Sequence, residues 1–258
     1  MPSSNRFFWY ELMTTDVAAA TSFYSDVVGW TAASWGDGSE GSPYMIVNAA
    51  GRGVGGVMQL PDEVRQMGGG PAWLGYIHVA DVDAKTAAIR AAGGRVHREP
   101  DDIPGVGRFS VATDPQGATF MLLAPTGEDQ PPAAPMTPGH VGWHELYAAD
   151  WRDALAFYRD QFGWTATTDF DMGEMGTYQL FSMGGDGDEG GMMNKMPDMP
   201  MPFWSFYFVV DGIDAAVERV TKGGGRVIMG PMEVPGGSWV LQGLDPQGAN
   251  FALVSQTK

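Results

Sequence analysis

Phe23-Tyr24-Ser25-Asp26-Val27-Val28-Gly29-Trp30-Thr31 returns 134 residues later as Phe157-Tyr158-Arg159-Asp160-Gln161-Phe162-Gly163-Trp164-Thr165. At the same offset Trp9-Tyr10-Glu11-Leu12 returns as Trp143-His144-Glu145-Leu146, and Tyr44 as Tyr178. Further along the offset becomes 131. Gly93-Gly94-Arg95-Val96 is echoed by Gly224-Gly225-Arg226-Val227, and Asp114-Pro115-Gln116-Gly117-Ala118 by Asp245-Pro246-Gln247-Gly248-Ala249. Two copies of this length mark a duplicated domain rather than a solenoid unit. The expected division is a module over residues 5–125, a Pro-rich linker over 126–139 and a second module over 140–256.

Each copy carries the same local signals. A short strand (Phe7–Met13, Val141–Ala148) runs into an Asp that caps a helix, Asp16 or Asp150. Ala20, Phe23, Tyr24 and Val27 recur at helical spacing, as do Ala154, Phe157 and Tyr158. Gly29 and Gly163 are placed to end these helices in the left-handed conformation. Strands follow at Tyr44–Asn48, Gly55–Leu60 and Trp73–Val79, matched near Tyr178–Met183, Gly191–Asn194 and Trp204–Val210. A second helix is expected to open at Asp83 or Asp214 and stop at the next glycine run. Strands near Arg95–His97, Arg108–Thr113 and Thr119–Leu123 complete the module. The pattern is βαβββ, twice per module.

Composition narrows the function classes. The chain has 258 residues, 15 Lys plus Arg against 31 Asp plus Glu, a net charge of −16 and no cysteine. So acidic a chain repels phosphate backbones and anionic membranes, so nucleic-acid and membrane partners are not expected. Thiolate chemistry, disulfides and cysteine metal sites are excluded. No apolar run reaches the ~18 residues of a membrane span, and no signal-peptide pattern opens the chain, so a cytoplasmic location is expected. The glycine runs at 68–70 and 223–225 lack the Lys-Ser/Thr of a phosphate loop.

The capped helix ending in Phe-Tyr-x-Asp-x-x-Gly-Trp, the Val79-Ala-Asp-Val-Asp-Ala84 helix entry and the Asp-Pro-Gln-Gly-Ala turn, in order and in duplicate, resemble the vicinal oxygen chelate superfamily. That superfamily includes glyoxalases, bleomycin-resistance proteins and extradiol dioxygenases. Within it the chain looks most like the two-module, actinobacterial antigen-type, hydroxylase-named glyoxalase-like proteins. The resemblance implies an α+β fold of tandem modules, each a pair of βαβββ units forming a cup-shaped mixed sheet with the ligand inside. It also implies a divalent metal held by His or Glu on the first, middle and last strands of a module. Carried over one position at a time, those ligands fall on Trp9, Leu74 and Met121, and on Trp143, Ser205 and Ala252. None is an ordinary metal ligand, so neither a metal nor another cofactor is expected.

Strand alternation puts Leu12, Leu146, Tyr10 and His144 toward the helices and Trp9, Glu11, Trp143 and Glu145 on the opposite face. Glu11 and Glu145 are the candidate catalytic residues. A carboxylate among aromatics could serve as a general acid or base, or anchor a ligand by a charge-assisted hydrogen bond. It could equally pair with an Arg or close the module junction. Trp9, Trp143, Tyr44, Tyr178, Tyr76, Tyr207, Trp73 and Trp204 are the candidate ligand-binding aromatics, with ordinary sheet core as the competing reading. His78, on the middle strand, lacks a counterpart, because Val209 takes its place. A structural or surface role is expected for it and for His97, His140 and His144. The methionine-rich run 192–202 reads as a lid or as a packed loop. The function expected is binding of a small apolar or aromatic molecule by a protein without the usual metal ligands. The alternative is a glyoxalase-like lyase, isomerase or hydroxylase with a pocket Glu as base, working with a displaced metal. The expected partners are the small-molecule ligand and, at most, a second copy of the chain, the two modules otherwise pairing within a monomer.

Overall fold

A computed structural model describes residues 5–36, 44–127 and 131–258, so parts of the first module and of the linker lie outside the described residues. The first module contains strands β1 (Phe7–Thr14), β2 (Thr31–Ser34), β3 (Tyr44–Ala49), β4 (Arg52–Gln59), β5 (Ala72–His78), β6 (Arg95–Ile103), β7 (Gly107–Thr113) and β8 (Thr119–Pro125). The second repeats them as β9 (Val141–Ala148), β10 (Thr165–Asp171), β11 (Thr177–Ser182), β12 (Gly190–Asn194), β13 (Phe203–Val209), β14 (Arg226–Glu233), β15 (Trp239–Leu244) and β16 (Asn250–Ser255). Each module forms one mixed eight-stranded sheet. The orders are β2-β3-β4-β1-β5-β8-β7-β6 and β10-β11-β12-β9-β13-β16-β15-β14. The duplicated sequence thus builds the duplicated sheet, as the repeat predicts.

The helices α1 (Val17–Val28) and α4 (Trp151–Phe162) form where the sequence places them. Asp16 accepts from the Ala19 amide at 2.9 Å, and Asp150 from the amides of Arg152 and Asp153. These side chains satisfy donors that the first turn leaves unpaired. Gly29 (φ 88°) and Gly163 (φ 76°) close them in the left-handed conformation, which costs a glycine nothing. A short helix α2 (Asp62–Gln66), unanticipated from the sequence, precedes α3 (Val82–Ala91), and α5 (Ile213–Lys222) completes the set.

The start of α3 corrects the sequence expectation. Its cap is Asp81, whose side chain accepts from the Ala84 amide at 2.9 Å. Asp83 lies in the first turn and pairs with Arg108 on β7. In α5 the cap is Gly212 with no side-chain bond, and Asp214 is again a first-turn residue. Both Asp residues sit where a negative charge suits the helix dipole, so their position alone does not separate cap from first turn.

The chain divides into two compact units, each drawing one half from each module. One comprises residues 9–74, 133–143 and 205–258. Here Tyr24 of α1 donates to Asp245 Oδ2 at 3.1 Å and accepts from Trp73 Nε1 at 2.9 Å, and Phe23 meets Phe251 edge-on at 5.6 Å. The other comprises residues 1–8, 75–132 and 144–204. Here Tyr158 of α4 donates to Asp114 Oδ2 at 3.3 Å and accepts from Trp204 Nε1 at 2.9 Å, while Phe120 packs on Phe157, Tyr158 and Phe162.

These contacts explain the two strongest repeated motifs together. The Asp of each Asp-Pro-Gln-Gly-Ala turn uses Oδ1 to accept two amides of its own turn, from Gln116 and Ala118 or from Gln247 and Ala249, all at 2.9 Å. Its other oxygen takes the phenol of the Phe-Tyr motif of the other module. Burial raises the pKa of both aspartates and of both phenols. Buried polar groups of this kind are tolerated because each has a partner.

Candidate ligand-binding site

Glu11 on β1 is 5% exposed and Glu145 on β9 is 6% exposed. Tyr44 on β3 donates its phenol to Glu11 Oε2 at 3.0 Å, and Tyr178 on β11 donates to Glu145 Oε1 at 2.8 Å. Trp9 adds an indole N–H to the Tyr44 oxygen at 3.2 Å. Between each Tyr and its Glu runs a strand that carries a glycine at the crossing point. Gly56 pairs with Glu11 in the β1–β4 register, and Gly191 pairs with Glu145 in the β9–β12 register. A Cβ on Gly56 would collide with the Tyr44 phenol, and one on Gly191 with the Tyr178 ring. The two phenols therefore lie flat across a bare backbone to reach the carboxylates.

This Tyr–Gly–Glu arrangement occurs once per module, built in each case within a single compact unit. A phenol that donates to a carboxylate oxygen holds the carboxylate in one rotamer. Burial, reinforced by the Glu11 charge, pushes the Tyr44 phenol well above its ordinary range, so it stays a donor. An oriented, buried carboxylate beside Trp9 can accept an O–H or N–H from a ligand. The sequence reading named the Tyr and Glu residues separately and missed the glycines that join them. The signal was there: paired glycines inside a half-buried strand mark a close approach by another group.

The remaining candidates divide by face. Tyr207 lies in a buried cluster with Val209, Val240, Ala252 and Val254, against which Trp143 and Met136 pack. Its phenol oxygen accepts from Gln242 Nε2 at 2.6 Å. Tyr76 is buried and stands opposite Met121 in the β5–β8 register. Trp73 and Trp204 do not share that face, which corrects their place among the ligand-binding candidates. Their indole nitrogens reach Tyr24 on α1 and Tyr158 on α4, so they belong to the helix-side core. The reason is period-2 alternation: 73 and 76, or 204 and 207, have opposite parity on a strand. Trp30 and Trp164 are likewise core, tied by indole N–H bonds to the carbonyls of Gly139 and Asn5.

His144 stacks on Phe7 at 5.3 Å and donates from Nδ1 to the Glu189 carbonyl at 2.8 Å. Burial pushes its pKa down to about 4, so it is neutral near pH 7. His78 meets Phe8 edge-on, burial lowers the pKa of His97, and His140 lies by the Pro138 carbonyl. Met192 and Met193 are buried residues of β12, not part of a lid, while Met201 is exposed.

The six positions that the family resemblance assigns to metal ligands carry two indoles, an isobutyl, a thioether, a hydroxyl and a methyl. Among the described residues no three His, Asp or Glu side chains gather as a metal would require. This donor set does not fit a resident divalent cation.

The sequence profile of the Glyoxalase/Bleomycin resistance protein/Dioxygenase superfamily matches residues 6–122 and again 137–253. The chain belongs to this superfamily, with two tandem modules. It is 32% identical over 247 residues to CFP32 of Mycobacterium tuberculosis, described as a candidate glyoxylase, covering 95% of this chain and 93% of that one. It is 33% identical over 257 residues to the anthracycline biosynthesis protein DauV of a Streptomyces species, covering 95% and 91%. Two solved structures share the fold. The Mn(II)-bound glyoxalase of Novosphingobium aromaticivorans has a TM-score of 0.65 at 17% identity, covering 100% of this chain and 84% of that one. Homoprotocatechuate 2,3-dioxygenase of Brevibacterium fuscum has a TM-score of 0.69 at 17% identity, covering 100% and 82%. Among the described residues no helix is long and apolar enough to cross a membrane.

Proposed function

We propose that this protein binds a small apolar or aromatic molecule without the superfamily's usual metal, using Glu11 or Glu145 as the polar anchor. The observation that carries this reading is the repeated Tyr–Gly–Glu arrangement. It orients a buried carboxylate on the strand face that also bears Trp9 or Trp143. A planar ligand would stack on the aromatics and give a hydroxyl or amine proton to the carboxylate. The relatives named for anthracycline biosynthesis support a planar, hydroxylated polycycle as the ligand class. The protein would act in the cytoplasm, as a monomer or a homodimer.

A second reading rests on the same carboxylates. A buried Glu held by a phenol is placed to take a proton, which would make the protein a lyase, isomerase or hydroxylase of the glyoxalase type. The relatives named as glyoxylases favour this reading. Substituting Glu11→Gln and Glu145→Gln separates the two. For a binder, titration of a hydroxylated anthraquinone followed by tryptophan quenching should show roughly tenfold or greater weakening in at least one variant, with no product formed by either the wild type or the variant. Turnover by the wild type that is lost in a variant retaining its affinity would establish the enzyme reading instead. Unchanged affinity in both variants would remove the carboxylates from the site.

A further inference from the structure

The two sheets differ at the row of side chains that crosses β13, β16 and β15. In the second module that row is Tyr207, Ala252 and Gln242, in register with one another. In the first module it is Tyr76, Met121 and Val111. The Ala252 methyl leaves room for Gln242 to reach across the middle strand to the Tyr207 oxygen. The first module has a thioether in that place and no amide to make the bridge. One step along the same face of β13 stands Ser205, where the first module has Leu74. Ser205 is 4% exposed, yet among the described residues its Oγ has no hydrogen-bond partner.

A buried hydroxyl left without a partner is destabilising, and a native core rarely keeps one unless something else engages it. The neighbouring row supplies Gln242 and Tyr207 as fixed polar groups, and Val209, Val240 and Val254 as an apolar wall.

We propose that the β13–β16–β15 face of the second module, not its counterpart in the first, receives the ligand, and that Ser205 sets specificity there by reading a neutral hydroxyl or carbonyl oxygen on an aromatic ring system. This rests on the reading of the protein as a binder of small aromatic molecules. A serine hydroxyl both donates and accepts, so it matches either oxygen type. A charged group would be desolvated against Val209, Val240 and Val254, so a neutral oxygen suits this end better than an ionic one.

The test uses the full chain and two probes, 1,4-dihydroxyanthraquinone and anthracene, titrated by tryptophan quenching alongside thermal melts. The wild type should bind the dihydroxy probe at one site per chain. Ser205→Ala should weaken that probe roughly tenfold, leave anthracene unchanged and raise Tm, because an unsatisfied hydroxyl is removed. Ala252→Met should abolish binding of both probes, whereas Leu74→Ala and Met121→Ala should leave it intact. If Ser205→Ala raises Tm without changing the preference for the oxygenated probe, the serine is structural and the proposal fails. If the Leu74 or Met121 variants alter affinity while Ala252→Met does not, the ligand lies on the first module's sheet. In either case the aromatic-binder reading stands. If the wild type binds neither probe, that reading itself falls and takes this one with it.

Discussion

Tyr24 and Tyr158 show how much one oxygen can carry. Each phenol is fully enclosed, donates to an aspartate of the other module's turn and accepts from a tryptophan. Tyr24→Phe removes that oxygen and leaves the Asp245 oxygen and the Trp73 indole N–H without it as a partner. The expected cost is about 2–4 kcal/mol, two buried groups at roughly 1–3 kcal/mol each with partial relaxation. Urea unfolding of Tyr24→Phe and Tyr158→Phe would check it, and a loss below about 0.5 kcal/mol in both would show that the bond is dispensable. His144 gives a second prediction at this scale. Its pKa is pushed from 6.5 down to about 4 by burial. As pH falls below 6.5 the unfolded chain takes up a proton that the folded chain refuses until about pH 4, so stability drops across that window and is unaffected above it. The size is at most roughly 3 kcal/mol, and His144→Gln, whose amide can still donate to the Glu189 carbonyl, should flatten the stability profile between pH 4 and 6.5.

Among the elements, the second helix of the first module tests the capping assignment. Asp81→Ala removes the bond to the Ala84 amide and should cost about 1 kcal/mol. Asp83→Ala removes an exposed pair with Arg108 and should cost less than the loss of the cap, an effect that shrinks at high salt. The reverse ranking in denaturant melts would restore the sequence expectation that Asp83 opens the helix. Strand alternation served the sequence reading well on β1 and β9: Leu12 and Leu146 are fully buried, and Glu11 and Glu145 share a face with Trp9 and Trp143. The same parity places Trp73 and Trp204 on the helix side, where their indoles meet Tyr24 and Tyr158. The glycines were a different matter. Gly56 and Gly191 are visible in the sequence, but which ring crosses them depends on the β3–β4 and β11–β12 pairing. Replacing Gly191 by Val should displace Tyr178 from Glu145, and a binding titration would show the loss if the carboxylate anchors the ligand.

In the whole molecule the repeat and the compact units follow different divisions. Each unit takes a half from both modules, with α1 against α5 in one and α3 against α4 in the other. A chain cut within the linker should therefore leave Phe23 and Tyr24 of the first module without Phe251 and Asp245. Residues 5–125 expressed alone are expected to dimerise or aggregate, and to become soluble and cooperative when the second module is co-expressed. Light scattering with thermal melts is the measurement. A monomeric, cooperatively folding first module would show that its own contacts suffice.

The sequence by itself determined the module count, the strand–helix order, the capped helices and the superfamily, because these follow from local chemistry and from a repeat that no structure is needed to see. It also placed Glu11 and Glu145 opposite the helices, since alternation along one strand is a local rule. Tertiary structure alone decided that Tyr44 and Tyr178 meet those carboxylates, and that Tyr24 and Tyr158 bond to aspartates of the other module. Each of these depends on which strands and helices become neighbours. Side chains separated by 33 to 221 residues are brought within hydrogen-bond reach by sheet pairing and helix packing, and a periodicity of two or 3.6 residues holds no information about partners that far away.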